Sequence, residues 1–167
     1  MAGTHALVDT EANPPADLIT FLRDELPQHA AQWDDVVIDT PPAIDLAALA
    51  ALAAADKIIV PVVAAGEAFD QIDELAQVIA TRIALRIHPG QRISWIIPTQ
   101  QRSGRCLDAD VLSTLHEHYP GRVTPPVREA VAVRESYLAG LPVSRYAPHH
   151  PVASDYYTAI TTILEEA

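Results

Sequence analysis

Residues Trp33-Asp-Asp-Val-Val-Ile-Asp-Thr-Pro-Pro42 decide how this 167-residue chain is read. Three consecutive apolar residues, Val36-Val-Ile38, are flanked by Asp34 and Asp35 and end at Asp39, and Pro-Pro follows at once. A short β-branched run bounded by turn residues reads as a buried strand, and the acid after it falls where an open parallel sheet places its ligands. Working outward, His5-Ala-Leu-Val8 is a second short run, ending at Asp9. Lys57-Ile-Ile-Val-Pro-Val-Val63 and Ile93-Ser-Trp-Ile-Ile97 are two more, the latter leading into Pro98-Thr99. Pro61 is expected near the carboxyl end of its strand, where a lost ladder bond costs least.

Helical periodicity fills the intervals. Leu18, Ile19, Leu22 and Leu26 share one face of a helix expected over 16–26 and stopped by Pro27. A small-residue helix is expected over about 45–54, with Leu46, Leu49 and Leu52 inward, and a long one over 69–87, closed by Pro89-Gly90. Helices are further expected over 108–118, 131–139 and 154–165, the last with Ser154 as its N-cap, and a short edge strand over 122–124. Strands alternating with helices define an α/β fold, a doubly wound, mostly parallel sheet with helices on both faces, and residues 1–167 read as a single domain.

Composition sets outer bounds. No apolar run approaches the roughly 20 residues that span a bilayer, and Met1-Ala-Gly-Thr-His5 has neither cationic flank nor apolar signal core, so a cytoplasmic location is expected. A single cysteine, Cys106, excludes an internal disulfide and a cysteine-rich zinc site. The net charge of −11 argues against a protein that coats nucleic acid with its whole surface. The charge is unevenly placed, because residues 76–167 carry nine arginines against eight acids and 76–107 contain no acid. Arg82 and Arg86, four apart on one expected helix face, form with Arg92, Arg102 and Arg105 a candidate stripe for weak nonspecific DNA contact, and Arg128, Arg134 and Arg145 are further candidates. The competing reading is a solvated face balanced by the acidic amino-terminal half. His116-Glu-His118 has the wrong spacing for a helical metal pair. Trp33 and Trp95 read as core or strand-edge residues, and one of Tyr156 and Tyr157 is expected to pack inward.

Taken together, Trp33–Pro42 with Ala55-Asp-Lys-Ile-Ile-Val-Pro-Val62 resembles the Walker B segment and following strand of the ParA/Soj/MinD family of deviant Walker A P-loop ATPases. Leu7-Val-Asp-Thr-Glu-Ala-Asn13 resembles that family's switch segment. Pro126-Val-Arg128, Val131-Ala-Val-Arg-Glu135, Gly140-Leu-Pro-Val143 and Tyr146-Ala-Pro148 resemble its late strand, short helix and turn. The resemblance implies ATP and Mg²⁺ as cofactors. It implies Asp39, with Asp9, at the metal, and Asp9 and Glu11 as the acids of the catalytic switch. Thr40, Pro98, Thr99, Gln100, Pro126 and Arg128 fall where the family contacts the nucleotide. Glu11 and Ala12-Asn13 depart from the family's usual acid and Pro-Gln.

The family's phosphate loop, of the type Lys-Gly-Gly-x-Gly-Lys-Thr, has no counterpart in these residues: Gly3 and Gly66 are isolated and Lys57 is the only lysine. The resemblance therefore implies a partitioning or positioning protein, of the plasmid or chromosome segregation type, with an incomplete ATP site. It would act through a ParB-like or ParA-like partner or DNA, with a homodimer among the assemblies to expect. A truncated fragment of an active ParA-type ATPase and a regulatory subunit docking on a full-length homologue are the alternatives.

Overall fold

The computed structural model describes residues 17–65, 68–102, 104 and 106–165. The chain divides into two compact units, the residues up to Ile58 with Glu74–Arg92, and Ile59–Asp73 with Ile93–Ala167.

The second unit is built around β1 (Ile58–Val63) and β2 (Ile93–Thr99). Ala64 N donates to Thr99 O at 3.1 Å and Thr99 Oγ1 to Val62 O at 3.1 Å, so the carboxyl ends lie side by side and the strands are parallel. Along the opposite edge of β2 runs the extended chain 122–129, again parallel, through bridges Ile96–Val123 and Gln101–Arg128. Its bonds include Thr124 N to Ile96 O (3.0 Å), Val127 N to Pro98 O (2.8 Å) and Glu129 N to Gln101 O (2.9 Å). The strand expected over 122–124 is thus realised as isolated bridges that continue as far as Arg128. β2 is flanked on both edges and nearly continuously buried, with Ile93, Trp95, Ile96 and Pro98 inside, as suits a central parallel strand. Pro98 has no N–H to give, but its carbonyl still accepts from Val127. β1 buries Ile58 and Val62 and leaves Ile59, Pro61 and Val63 more open.

Among the described residues four helices lie wholly in this unit: α4 (Cys106–His118), α5 (Val131–Leu138), α6 (Val143–Tyr146) and α7 (Pro151–Glu165). Val111 and Leu115 of α4 are buried. Val127, Ala132, Val152 and Ala159 form a core cluster, with Ile97, Val133, Val143, Ala147 and Tyr156 packed against it. Tyr156 is the inward member of its pair and Tyr157 faces outward. The last helix begins at Pro151, not after Ser154. A proline at the first helical position has no amide hydrogen to leave unpaired, so it starts the helix one turn early.

In the first unit, α1 (Leu18–Ala30) and α2 (Leu46–Ala54) frame a core of Leu49, Ala53 and Ile83, joined by Ile19, Ile44, Leu52, Val78 and Ile87. Asp45 caps α2, its carboxylate accepting from Ala48 N at 2.8 Å. Pro27 does not stop α1, because it stands in the final turn, where its missing N–H removes one bond and leaves the rest of the ladder intact. The single helix expected over 69–87 is α3 (Ala68–Val78), of which the residues up to Asp73 fall in the second unit, followed by a π-helical turn, Ile79–Ala84. Thr81 Oγ1 donates to Gln77 O at 2.7 Å in that turn, and such side-chain competition for a carbonyl bends helices. Ile72, Ile79 and Ile83 stay fully buried across the change of pitch, each contributing roughly 1.5–3 kcal/mol.

A polar knot secures the end of this turn. Buried Gln91 donates through Nε2 to Ala55 O (2.5 Å) and Leu52 O (3.2 Å) while Oε1 accepts from Arg92 N (3.1 Å). Arg23 Nη1 donates to Ile87 O at 2.8 Å.

The expected buried strand at Val36–Ile38 is not formed. Residues 35–41 join no ladder, Trp33 is 66% exposed and Val37 92%. A strand is buried by chains bonded along its edges and packed on its faces, and among the described residues none is bonded alongside this segment. For the same reason Trp33 is neither a core nor a strand-edge residue here, whereas Trp95 is core.

Candidate functional site

The parallel edges of β2 and chain 122–129 set the site, because their carboxyl ends open into a cleft of about 190 Å³. It is lined by Thr99, Gln100, Val127, Arg128, Glu129, Ala130, Val133, Arg134 and Tyr156. The floor is apolar, from Val127, Ala130, Val133 and the Tyr156 ring, and these belong to the core cluster of the unit. The rim is charged, and its charges are mostly committed. Arg128 donates to Asp155 of α7 from Nε (2.5 Å), Nη2 (2.8 Å) and the backbone N (3.2 Å). These bonds hold the Asp155 carboxyl below the usual aspartate range, hydrogen bonding from the guanidinium outweighing partial burial, and hold Arg128 charged. Arg102 makes a two-pronged pair with Glu129, which raises its own pKa through those hydrogen bonds. Arg134 approaches Glu129 more loosely, at 3.8 Å.

Gln100 differs from its neighbours. Its backbone has φ 55°, and among the described residues it is the one non-glycine with positive φ. Ladder bonds on either side enforce that conformation: Thr99 O accepts from Ala64 N, and Gln101 N donates to Val127 O. Strain of this kind persists only where the surroundings over-determine it, and it gathers at ligand sites.

The expected nucleotide residues are therefore partly assembled. Thr99, Gln100 and Arg128 line one cleft; Pro98 lies buried in β2 and half-buried Pro126 stands beside the lining residue Val127. Asp39 and Thr40 belong to the first unit, exposed on the segment without a ladder. Asp9, Glu11 and Arg105 lie outside the described residues. Arg82 is exposed in the π-helical turn and Arg86 is exposed beyond it, so the two do not share a regular α-helical face. Arg102 and Arg134, expected as DNA contacts, both approach Glu129. Among the described residues no group of three or more His, Cys, Asp or Glu is arranged to hold a metal, and no helix is long and apolar enough to cross a membrane. His116 and His118 turn their Nδ1 atoms to backbone carbonyls of their own helix, Leu112 and Thr114.

Sequence reasoning missed Glu129, Ala130, Val133 and Tyr156 as lining residues and Asp155 as the partner of Arg128. The inward packing expected for one of Tyr156 and Tyr157 was the available signal for the floor. Nothing in the sequence pairs Asp155 with an arginine 27 positions earlier.

The base end of a nucleotide fits a cleft with Val127, Ala130 and Val133 among its lining and the carboxamide of Gln100 beside them. The triphosphate end does not. Arg102 and Arg128 are held by carboxylates, and Lys57 lies just before β1, so the described residues assemble no cationic cradle and no phosphoryl-transfer step follows from them.

A family model described as an AAA domain matches residues 3–88, just over half of the chain. The chain belongs to that family, the ParA-like P-loop ATPases. It is 28% identical over 162 residues to the cell division protein PomZ of Myxococcus xanthus, covering 96% of the chain and 50% of PomZ. It is 30% identical over 148 residues to the chromosome-partitioning ATPase Soj of Thermus thermophilus, covering 87% and 56%. The chain thus spans about half the length of these curated relatives. Its fold is that of McdA from Cyanothece, solved in apo form, with a TM-score of 0.79 at 18% identity over 95% of this chain and 65% of McdA. A complex of a McdA variant with ATP matches at a TM-score of 0.77.

Proposed function

We propose that this chain is a ParA-like positioning or partitioning protein whose ATP site is incomplete within these 167 residues, and that it works by binding a partner protein or DNA. The observation that carries the reading is the cleft at the carboxyl ends of β2 and chain 122–129, where Thr99, Gln100 and Arg128 converge over an apolar floor. The adenine of ATP occupies that cleft. By its sequence segment alone, Asp39 would be the acid that holds Mg²⁺, which would neutralise phosphate charge, and Asp9 and Glu11 would be the switch acids. The relatives' names and the ATP complex of McdA support a nucleotide-dependent positioning role.

With no glycine–lysine loop among these residues, most of the positive field that phosphoryl transfer needs has to come from elsewhere. Titration calorimetry with ATP, with and without Mg²⁺, tests the proposal. Weak binding insensitive to Mg²⁺, with no turnover, supports it. Micromolar Mg²⁺-dependent binding with hydrolysis by this chain alone contradicts it.

A second reading draws on Trp33 and Val37. Apolar residues this exposed on an unladdered extended segment suit a chain whose sheet is completed by further polypeptide. A fragment of an active ATPase and a subunit docking on a full-length homologue both fit. A stable heterocomplex with such a homologue by light scattering favours docking.

A further inference from the structure

We propose that His150 is a proton-operated latch at the start of α7. Neutral, it caps that helix; protonated, it leaves the cap and turns to Asp155, the carboxylate that holds Arg128 at the rim of the cleft. The device does not depend on what the cleft binds.

α7 begins at Pro151, and Val152 N donates to His150 Nδ1 at 3.2 Å. A backbone amide only donates, so Nδ1 has to accept, and in this arrangement the imidazole is neutral with its proton on Nε2. Serine, threonine and asparagine supply such a cap whatever the pH. Histidine supplies it in one protonation state. The backbone of the turn is tied independently of the side chain, His150 N donating to Ala147 O at 3.0 Å and Ala153 N to His150 O at 2.9 Å. The imidazole can therefore leave while the turn stays in place.

Protonation acts twice on the cap. Nδ1 becomes a donor and can no longer face the Val152 N–H, and a positive charge appears at the helix end that repels it. A compensating carboxylate lies one turn on. Asp155 is near enough to His150 for the imidazolium to favour its charged form. Its carboxylate already takes three hydrogen bonds from Arg128, from Nε and the backbone N to Oδ2 and from Nη2 to Oδ1. A carboxylate has about four acceptor sites, which leaves one on Oδ1 for the imidazolium. The other charged and titratable groups around the turn are exposed His149, exposed Arg145 and Tyr146 on α6, and Glu135 of α5, which accepts from the Tyr146 hydroxyl at 3.4 Å.

The consequence falls on the cleft, because Arg128 and Tyr156 line it and both depend on α7, Arg128 through Asp155 and Tyr156 directly. With His150 neutral, one guanidinium is balanced by one carboxylate. With His150 charged, two cations share that carboxylate and the rim gains a net positive charge.

NMR on the full chain between about pH 8 and 5.5, the range in which imidazoles take up a proton, tests the latch. The His150 ring, the Val152 amide and the Arg128 Nε–H are followed together. Protection of the Val152 amide from hydrogen exchange, corrected for the intrinsic effect of pH, is expected to fall about tenfold as the His150 ring titrates, and the Arg128 Nε–H resonance to move with the same midpoint. His150→Asn and His150→Ser, caps that do not titrate, should keep Val152 protected and Arg128 still, and His149→Gln should behave as wild type. Protection that is unchanged across the His150 titration, or that falls equally in the two capping variants, overturns the latch. An Arg128 resonance that stays put while Val152 loses protection overturns the link to Asp155.

Discussion

Replacing Gln100 by glycine should stabilise the protein, although glycine in place of a larger residue usually does the reverse. A non-glycine residue in the left-handed region carries roughly 1–2 kcal/mol of steric cost from Cβ against the carbonyl, and Gln100 sits there at φ 55°. Glycine removes that cost but gives the unfolded chain extra freedom worth roughly 0.4–1 kcal/mol. The net is a gain of about 0.5–1 kcal/mol. The neighbouring position supplies the control. Gln101 has no positive φ and makes two ladder bonds, to Val127 and from Glu129. Gln101→Gly therefore pays only the flexibility cost, roughly 0.5–1 kcal/mol. The two variants should differ by about 1.5 kcal/mol, or about 3–6 °C in melting temperature for a chain of this length. Urea titration followed by circular dichroism, with parallel thermal scans, measures both. If Gln100→Gly melts at or below Gln101→Gly, the strain is not there and the reasoning from the φ of Gln100 fails.

Two further outcomes follow from side chains outside the cleft floor. Gln91→Leu keeps the volume but strips the carbonyls of Leu52 and Ala55 and the amide of Arg92 of their buried partner. It should cost roughly 1–3 kcal/mol, read as a lower urea midpoint, and a midpoint equal to wild type counts against the knot. Asp155 has a folded pKa below its unfolded value, chiefly through hydrogen bonds from Arg128, with a smaller favourable contribution from His150. Its contribution is therefore present above the unfolded value, about 3.9, and is lost as pH falls through the lower folded value. Wild type should lose more stability than Asp155→Asn between pH 5 and the acid limit of folding, and parallel pH profiles would contradict the pairing.

The sequence made most of the framework legible because local signals and tertiary outcome agree there. The runs at Ile58–Val63 and Ile93–Thr99 are apolar because a parallel sheet buries them, and Asp45 marks the start of α2 by the bond it makes. The failures are equally physical. Val36–Ile38 has strand composition, but composition does not provide a neighbouring chain, and the described residues give it none. Pro27 looked like a stop, yet in a last turn it removes one bond only. The π-helical turn left no mark in the apolar spacing, since Ile79 and Ile83 remain buried on either pitch. At the cleft, the motif singled out the segments that carry Thr99, Gln100 and Arg128, whereas the Arg128–Asp155 and Arg102–Glu129 pairs join residues 27 apart and exist only once the chain has folded.

Light-activated labelling with 8-azidoadenosine, followed by peptide mapping, tests most directly whether a base sits where the strands end. The account expects adduct on residues 98–102, on 127–134 or on Tyr156, suppressed by excess adenosine and less so by guanosine. Adduct confined to the Asp39–Thr40 segment or to α1, with the cleft unlabelled, would contradict it.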